Sequence, residues 1–246
     1  MNARQRATQR ERSRRVVSLV PSATETLLAL GADVVACTRF CEQPDLRHVG
    51  GTKNPDVEAI VALGPDVVVV DEEENRRQDA DALTAAGLDV MATSVRSVGQ
   101  ALDVVGRLAE ATDRPRPPDW PGDVPSSGPP VTAVAFVPIW RRPWMAINAD
   151  TYGASLLRLC GIELVTAEAS ERYPTVTLTE VAAPDLVLVP SEPYAFRDEH
   201  VAELAAAFAA ARVARVDGQD LFWWGIRTPA ALTRLRTSLT SASSRR

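Results

Sequence analysis

The sequence predicts an α/β fold of two tandem Rossmann-like lobes with mainly parallel sheets, joined by a helix and a proline-rich linker. Short apolar strands alternate with helices of about ten residues, the pattern of βαβ units. The pattern then recurs, since Pro55 and Pro65 are matched by Pro174 and Pro184, both 119 residues further along the chain. Seven prolines in residues 114–130 separate the two copies. Repetition of this kind predicts two similar lobes.

The first lobe opens with a β-branched strand over residues 16–20. Ser22 as N-cap and Glu25 three residues later have the spacing of a capping box, which predicts a helix that ends at Gly31. The later elements continue the alternation. They are an extended segment at Val34 and Val35, a loop over 40–54, a helix over 55–63, a strand over 67–70, a helix over 76–86, a strand over 88–92 and a helix over 97–111.

The proline-rich stretch marks the domain boundary. Prolines exclude regular helix there and predict an extended, semi-rigid connection, with Trp120 as its candidate anchor. The predicted organisation has five parts. They are a basic disordered tail over 1–15, an N-terminal α/β lobe over 16–96, an interlobe helix and linker over 97–130, a C-terminal α/β lobe over 131–236 and a C-terminal tail over 237–246.

The composition is that of a folded globular protein. The chain has 246 residues, 46% hydrophobic and 24% charged, and no apolar run approaches the roughly 18 residues of a transmembrane helix. The net charge is -5, yet the first 15 residues hold six arginines and one acid. This tail lacks the apolar stretch of a secretory signal and a cysteine for lipid attachment. The chain as written is therefore predicted to be cytoplasmic, and extracytoplasmic if the true start lies upstream.

The cysteines predict neither a disulfide framework nor a metal site. Cys37, Cys41 and Cys160 form an odd set, which favours a reducing compartment. The spacing of Cys37 and Cys41 lacks the second ligand pair that a zinc site needs.

The repeat also relates two glutamates. Glu192 lies 119 residues after Glu73, so each lobe places a glutamate just beyond the carboxyl end of an equivalent strand. Open parallel sheets bind ligands at that edge. For Glu73 the alternative is a solvated helix start, which acidic residues favour.

Six phrases are similar to one known family. They are 17–25 (VSLVPSATE), 50–55 (GGTKNP), 65–67 (PDV), 138–144 (PIWRRPW), 150–152 (DTY) and 190–194 (PSEPY). The two lobes resemble the class III solute-binding proteins, the helical-backbone metal receptors of ABC importers, and within them the cobalamin-binding group. The resemblance covers roughly residues 15–235.

The resemblance implies a function and a docking mode. It implies a cobalamin, haem or ferric siderophore ligand in an interlobe cleft, with no intrinsic cofactor. It also implies that Glu73 and Glu192 dock on arginines of an ABC permease, with a role inside the cleft as the alternative. The family joins its lobes through a long helix, whereas this chain has the proline-rich connection, so we expect wider lobe opening here.

The candidate ligand-binding residues combine flat aromatic rings with charged and polar groups. Lys53 is the only lysine among 27 basic residues, and four of the five tryptophans lie in the second half of the chain. Aromatic walls suit a large ring, and guanidinium groups stack and bind carboxylates or phosphates. Solvated loop charges and core tryptophans are the alternatives. The candidates are Lys53, Asn54, Glu73, Asn75, Arg141, Arg142, Trp144, Asp150, Glu192, Tyr194, Trp224 and Arg227; Trp140, Trp223, His48 and His200 are weaker ones.

The motifs favour binding over catalysis. The sequence contains no Gly-x-Ser-x-Gly elbow, no His-Glu-x-x-His and no phosphate-binding loop. It therefore predicts a non-enzymatic, monomeric solute-binding protein of the ABC-importer type, with a corrinoid, haem or ferric chelate as ligand and no nucleic-acid partner. The alternative is a cytosolic sensor or adaptor on the same fold.

Overall fold

The computed structural model describes residues 13–121 and 128–240. They form two compact units. The first lobe comprises the described residues up to Ser94 together with Leu102–Trp120, and the second comprises Val95–Ala101 together with the described residues from Pro121 onward. Of the predicted basic tail, all but Ser13, Arg14 and Arg15 lie outside the described residues.

The helices and strands alternate along the chain as the sequence predicts. In the first lobe they are β1 (Arg15–Ser18), α1 (Pro21–Ala29), β2 (Asp33–Cys37), β3 (Arg47–His48), β4 (Gly50–Gly51), β5 (Asn54–Pro55), α2 (Val57–Leu63), β6 (Val67–Asp71), α3 (Arg77–Ala85) and β7 (Val90–Thr93). Helix α4 (Val98–Ala111) has its first turn in the second lobe and the rest in the first.

The first lobe is built on a parallel sheet with the strand order β3-β2-β1-β6-β7. All five residues of β6 are buried, which explains its continuous valine run, since helices cover both faces of such a sheet. Val17, Leu19 and Val68 form the core with Ile60 of α2 and Leu83 of α3. The predicted loop over 40–54 contains the short strands β3 and β4, and β4 pairs with β5 in an antiparallel hairpin.

The predicted capping box at the first helix is wrong. Helix α1 begins at Pro21, its N-cap is Val20 in an extended conformation, and no side chain caps it. Proline suits the first helical position because it lacks the N–H that would have no partner there. Ser22 is therefore a buried residue inside the helix.

The second lobe repeats the arrangement of the first. Its elements are β8 (Ala133–Phe136), β9 (Pro138–Trp140), β10 (Trp144–Ala146), α5 (Tyr152–Leu159), β11 (Ile162–Leu164), β12 (Thr175–Val176), β13 (Leu186–Pro190), α6 (Asp198–Ala207), β14 (Arg212–Val216), α7 (Gly218–Phe222) and α8 (Thr228–Thr240). A parallel sheet has the order β11-β8-β13-β14, and β12, β10 and β9 form a small antiparallel sheet.

Strand register agrees with the repeat. Val16 of β1 pairs with Val67 of β6, and Ala135 of β8 pairs with Leu186 of β13. Both members of the second pair lie 119 residues after their counterparts in the first, the offset found in the sequence. The predicted α/β class with mainly parallel sheets is confirmed.

Buried polar contacts fix the last helices of the second lobe. Asp220 of α7 is buried and pairs with Arg227 at 3.3 Å and with Arg234 of α8. Tyr152 Oη lies 2.9 Å from Thr228 Oγ1, and burial raises the pKa of Tyr152 to about 12. Helix α8 extends to Thr240, into the residues predicted as a tail.

Part of the predicted linker packs on the first lobe. Trp120 is half-buried, and its Nε1 donates a hydrogen bond to the carbonyl oxygen of Leu102 in α4 at 3.3 Å. Pro125 lies outside the described residues. Among the residues that the structure does describe, no helix is long and apolar enough to cross a membrane.

Candidate functional site

The carboxyl ends of the two parallel sheets carry most of the predicted site residues. Glu73 lies two residues beyond Asp71, the last residue of β6, and Glu192 lies two residues beyond Pro190, the last residue of β13. Glu73 is exposed and Glu192 is half-buried. Each glutamate therefore lies at the edge of its own sheet where parallel α/β folds bind ligands.

Asn75 organises this edge of the first lobe. Its Oδ1 accepts a hydrogen bond from Asp71 N at 2.8 Å, and its Nδ2 donates to the carbonyl oxygens of Thr52 at 2.9 Å and Leu19 at 3.2 Å. The residue is buried, and its amide is committed to the backbone of three segments. Asn75 is one of the predicted ligand-binding residues, and in this structure its amide holds these three segments together.

Asp71 is a buried carboxylate beneath this turn. Its oxygens accept hydrogen bonds from Thr93 Oγ1 at 2.7 Å and from Glu73 N at 2.9 Å. Burial raises the pKa of Asp71 above its ordinary value, and these hydrogen bonds oppose the rise.

The Gly-Gly-Thr-Lys-Asn-Pro phrase forms the β4–β5 hairpin. Lys53 and Asn54 are exposed at its turn, and Lys53 Nζ donates a hydrogen bond to the carbonyl oxygen of Glu73. A Cβ on Gly51 would lie 2.6 Å from Asn54 Oδ1 and 3.1 Å from the ring of Phe40, so this position has no room for a side chain. The hairpin thus brings the only lysine next to the predicted glutamate.

Phe40 is a candidate that sequence reasoning missed. Half of its side chain is exposed (50%), and the guanidinium of Arg39 lies 4.9 Å from its ring centroid. It follows the carboxyl end of β2 by three residues. In a chain with 5% aromatic residues, an aromatic side chain just beyond a predicted strand was a signal that could have found it.

The second lobe has a cluster of four aromatic residues at the equivalent edge. Trp140 packs edge-on against Tyr194 at a ring distance of 5.0 Å, Tyr194 lies 4.8 Å from Phe196, and Phe196 stacks on Trp144 at 6.0 Å. Phe196 is buried, whereas 44% of Trp140 is exposed. Trp140, expected to be a weaker candidate than Trp144, is thus the more accessible tryptophan.

Arginines border this cluster. Arg141 pairs with Glu203 at 2.7 Å, and its guanidinium lies 5.7 Å from the ring centroid of Trp144. Arg142 is exposed and makes no hydrogen bond or ion pair with another described residue. Arg141 and Arg142 both line a cavity of about 370 Å³. The other lining residues are Tyr194, Arg197, Glu199, His200 and Glu203.

The two histidines have local roles. His200 is buried, and its Nδ1 accepts a hydrogen bond from Arg197 N at the start of α6. His48 is exposed, and its Nε2 lies 3.0 Å from the carbonyl oxygen of Gln43. In residues 13–121 and 128–240, no group of three metal-ligating side chains could hold a metal ion.

Trp224, Arg227 and Asp150 are predicted residues that belong neither to the strand-end turns and the hairpin nor to the aromatic cluster or the arginine-lined cavity. Trp224 is 6% exposed and lies in the core, the predicted alternative to a place at the ligand. Arg227 is held by Asp220 and by Gln219 Oε1 at 3.1 Å, and it stacks on Trp223 at 5.3 Å. Asp150 accepts from Arg96 at 3.2 Å and pairs with Arg172 at 3.4 Å, beside a separate cavity of about 790 Å³ in the second lobe.

Known proteins resemble this chain in sequence. Residues 16–117 match the family model described as periplasmic binding protein. The vitamin B12-binding proteins of Yersinia pestis (strain Pestoides F) and Yersinia pseudotuberculosis serotype O:1b (strain IP 31758) are each 25% identical to this chain over 195 residues, which cover 71% of this chain and 69% of the relative.

The chain is thus similar in sequence to periplasmic binding proteins. Solved structures share its fold over nearly the whole length of the chain. The periplasmic vitamin B12 binding protein BtuF of Vibrio cholerae superposes with a TM-score of 0.74 at 18% identity, covering 95% of this chain and 99% of that chain. The periplasmic heme-binding protein BhuT, in complex with two hemes, has a TM-score of 0.72 at 22% identity, covering 93% and 98%. These structures confirm the predicted fold.

Proposed function

We propose that this chain is a solute-binding protein that binds a large planar metal-containing ring, a corrinoid in the first place, and delivers it to an ABC permease outside the cytoplasm. The observation that carries the proposal is the exposed Trp140–Tyr194 pair beside the arginine-lined cavity. Both lie at the carboxyl-end edge of the second sheet.

The chemistry of this edge suits such a ligand. A partly exposed tryptophan offers a flat apolar wall at little cost in side-chain entropy. Arg142 is exposed next to it and supplies a planar cation for a phosphate or carboxylate of the ligand. Phe40 with Arg39 offers the same pairing of ring and guanidinium at the edge of the first sheet.

The relatives support this ligand class and location. The curated relatives are named as vitamin B12-binding proteins. The two solved structures are of a periplasmic vitamin B12 binding protein and a periplasmic heme-binding protein. Corrinoid and haem are both metal-containing macrocycles, so the aromatic wall suits either one, and the binding experiment separates them.

We further propose that Glu73 and Glu192 are the docking residues for the permease. Glu73 is exposed, and Lys53 Nζ donates a hydrogen bond to its carbonyl oxygen, which ties the turn that carries Glu73 to the β4–β5 hairpin. Glu192 is held by the adjoining start of α7. Carboxylates presented from fixed turns favour a partner surface that carries arginines.

Binding is tested with cyanocobalamin, cobinamide, haem and ferric enterobactin as separate probes, by calorimetry and by thermal shift. We expect cyanocobalamin or cobinamide to bind, and Trp140→Ala to weaken binding by about tenfold or more through lost stacking. Val131→Ala, which shortens another exposed apolar side chain of the second lobe, is the matched control and should bind as the wild type does. Absence of heat and of any melting shift with all four probes would overturn the proposal.

Docking is tested separately from ligand binding. With the permease of the source organism in proteoliposomes, Glu73→Gln and Glu192→Gln should each reduce ligand uptake while leaving ligand affinity unchanged. Glu180→Gln, an exposed glutamate elsewhere in the second lobe, is the control. Wild-type uptake by the double variant would show that these glutamates do not dock.

A further inference from the structure

Two buried cysteines of the first lobe lie next to each other at the end of β2. Cys37 is the last residue of that strand, and Cys41 follows a turn in which Cys41 N donates to the carbonyl oxygen of Thr38 at 3.1 Å. Both residues are almost fully buried (0% and 2% exposed), and each thiol shifts the pKa of the other. The turn of three residues thus brings two buried thiols close together.

The surroundings of the pair distinguish its two sulfur atoms. Cys41 Sγ accepts a hydrogen bond from Thr24 Oγ1 at 3.2 Å and lies 3.2 Å from Thr38 Oγ1. The hydrogen bond from Cys37 lowers the pKa of Cys41 to about 6, with smaller help from the two threonines and against the effect of burial. The same hydrogen bond, together with burial, raises the pKa of Cys37. Cys41 is thus the more acidic thiol of the pair, and Cys37 is the less acidic one.

We propose that Cys37 and Cys41 form a redox-active dithiol that closes into an intramolecular disulfide when it meets a low-molecular-weight disulfide such as oxidised glutathione. Cys41 Sγ attacks one sulfur of the oxidant and displaces the first thiolate. Cys37 then loses its proton, attacks Cys41 Sγ and displaces the second thiolate. Two protein thiols become one disulfide, and one molecule of the oxidant is reduced to two thiols.

The turn between the cysteines lies at the protein surface. Arg39, Phe40 and Glu42 are exposed, so Cys41 lies directly beneath the surface of this loop. Arg39 N also donates to the carbonyl oxygen of Gly50 at 3.0 Å, which ties the turn to the β4–β5 hairpin. A disulfide would therefore fix the segment that carries Phe40, whatever ligand the protein binds.

The disulfide is tested on the full-length protein with reduced and oxidised glutathione. After oxidation and blocking of the remaining thiols, we expect the intact mass to fall by two hydrogen atoms. Trypsin cleaves after Arg39, so peptides 16–39 and 40–47 should stay joined in the oxidised protein and separate after reduction. We also expect oxidation to raise Tm by about 5 °C.

Three cysteine variants make the test specific. Cys160→Ser, in the second lobe, should form the linked peptides as the wild type does. Cys37→Ser should instead retain a glutathione adduct on Cys41, because no second thiol displaces it, and Cys41→Ser should form neither. The proposal is overturned if the native wild type keeps three titratable thiols after prolonged oxidation, or if the linked peptides appear only in denaturant.

Discussion

Gly218 leaves no room for a side chain beside Glu192. A Cβ on Gly218 would lie 2.4 Å from Glu192 Cγ and 2.6 Å from Glu192 N. Gly218 N also donates a hydrogen bond to Ser191 Oγ at 2.9 Å. The start of α7 thus holds the turn that follows β13, and this contact sets the position of the proposed docking residue.

We expect Gly218→Ala to lower the free energy of unfolding by about 1–3 kcal/mol, because backbone atoms of Glu192 would have to shift. Chemical denaturation measures the change. Gly99→Ala in α4 is the control, since the nearest atom to its Cβ would be Ser97 Oγ at 3.8 Å. There alanine should raise stability by about 0.5–1 kcal/mol. Equal effects of the two substitutions would contradict the close approach.

Removal of the Asn75 amide should destabilise the carboxyl-end edge of the first sheet. Asn75→Ala leaves Asp71 N and the carbonyl oxygens of Leu19 and Thr52 without their partner, so we expect a loss of about 2–4 kcal/mol. Asn54→Ala, at an exposed position of the neighbouring hairpin, should change stability by about 0.5 kcal/mol or less. Denaturation curves of both variants decide the point, and a small effect of Asn75→Ala would show that water replaces its amide.

Asp71 predicts a pH dependence of stability. Its pKa is raised in the folded state, so the folded protein binds more protons than the unfolded chain in the interval between the two pKa values. Wild-type stability should therefore fall relative to Asp71→Asn as pH rises above roughly 4, the ordinary pKa of an aspartate. The difference is measured by denaturation at several pH values, and a constant difference would show that Asp71 does not titrate in this interval.

Truncation of two tryptophans in the second lobe should lower stability by different amounts. Trp224 is 6% exposed, and its replacement by alanine should cost about 3–5 kcal/mol of stability through the cavity it leaves. Trp140→Ala should cost about 1 kcal/mol, mainly from its contact with Tyr194. Thermal denaturation compares them, and a larger loss for Trp140→Ala would show that this ring supports the fold.

The fold was predictable because its signals are periodic. Burial and strand register act on many residues at once. They account for the valine run of β6, the prolines that precede the repeated strands, and the offset between Val16 and Ala135. Local capping was less predictable. Ser22 and Glu25 have the spacing of a capping box, but Pro21 fits the first helical position without one.

The positions of two candidate residues in the fold were predictable, but the exposure of the aromatic residues was not. Strand ends located Glu73 and Glu192, because parallel sheets expose their carboxyl ends together. Exposure of individual rings depends on tertiary packing, which composition does not encode. For this reason Trp224 was predicted to face a ligand although it is buried, and Phe40 was missed although it is exposed.

The strand order of the two parallel sheets also has a kinetic consequence. The central strand pair of the first sheet, β1 with β6, forms only when Val16 and Val67 come together. In the second sheet, β8 and β13 pair only when Ala135 and Leu186 come together. No hairpin turn joins these partners, so each lobe closes a long loop before burial of β6 or β13 compensates the lost chain entropy. We therefore expect folding in milliseconds to seconds rather than microseconds, with the rate set by these two crossovers.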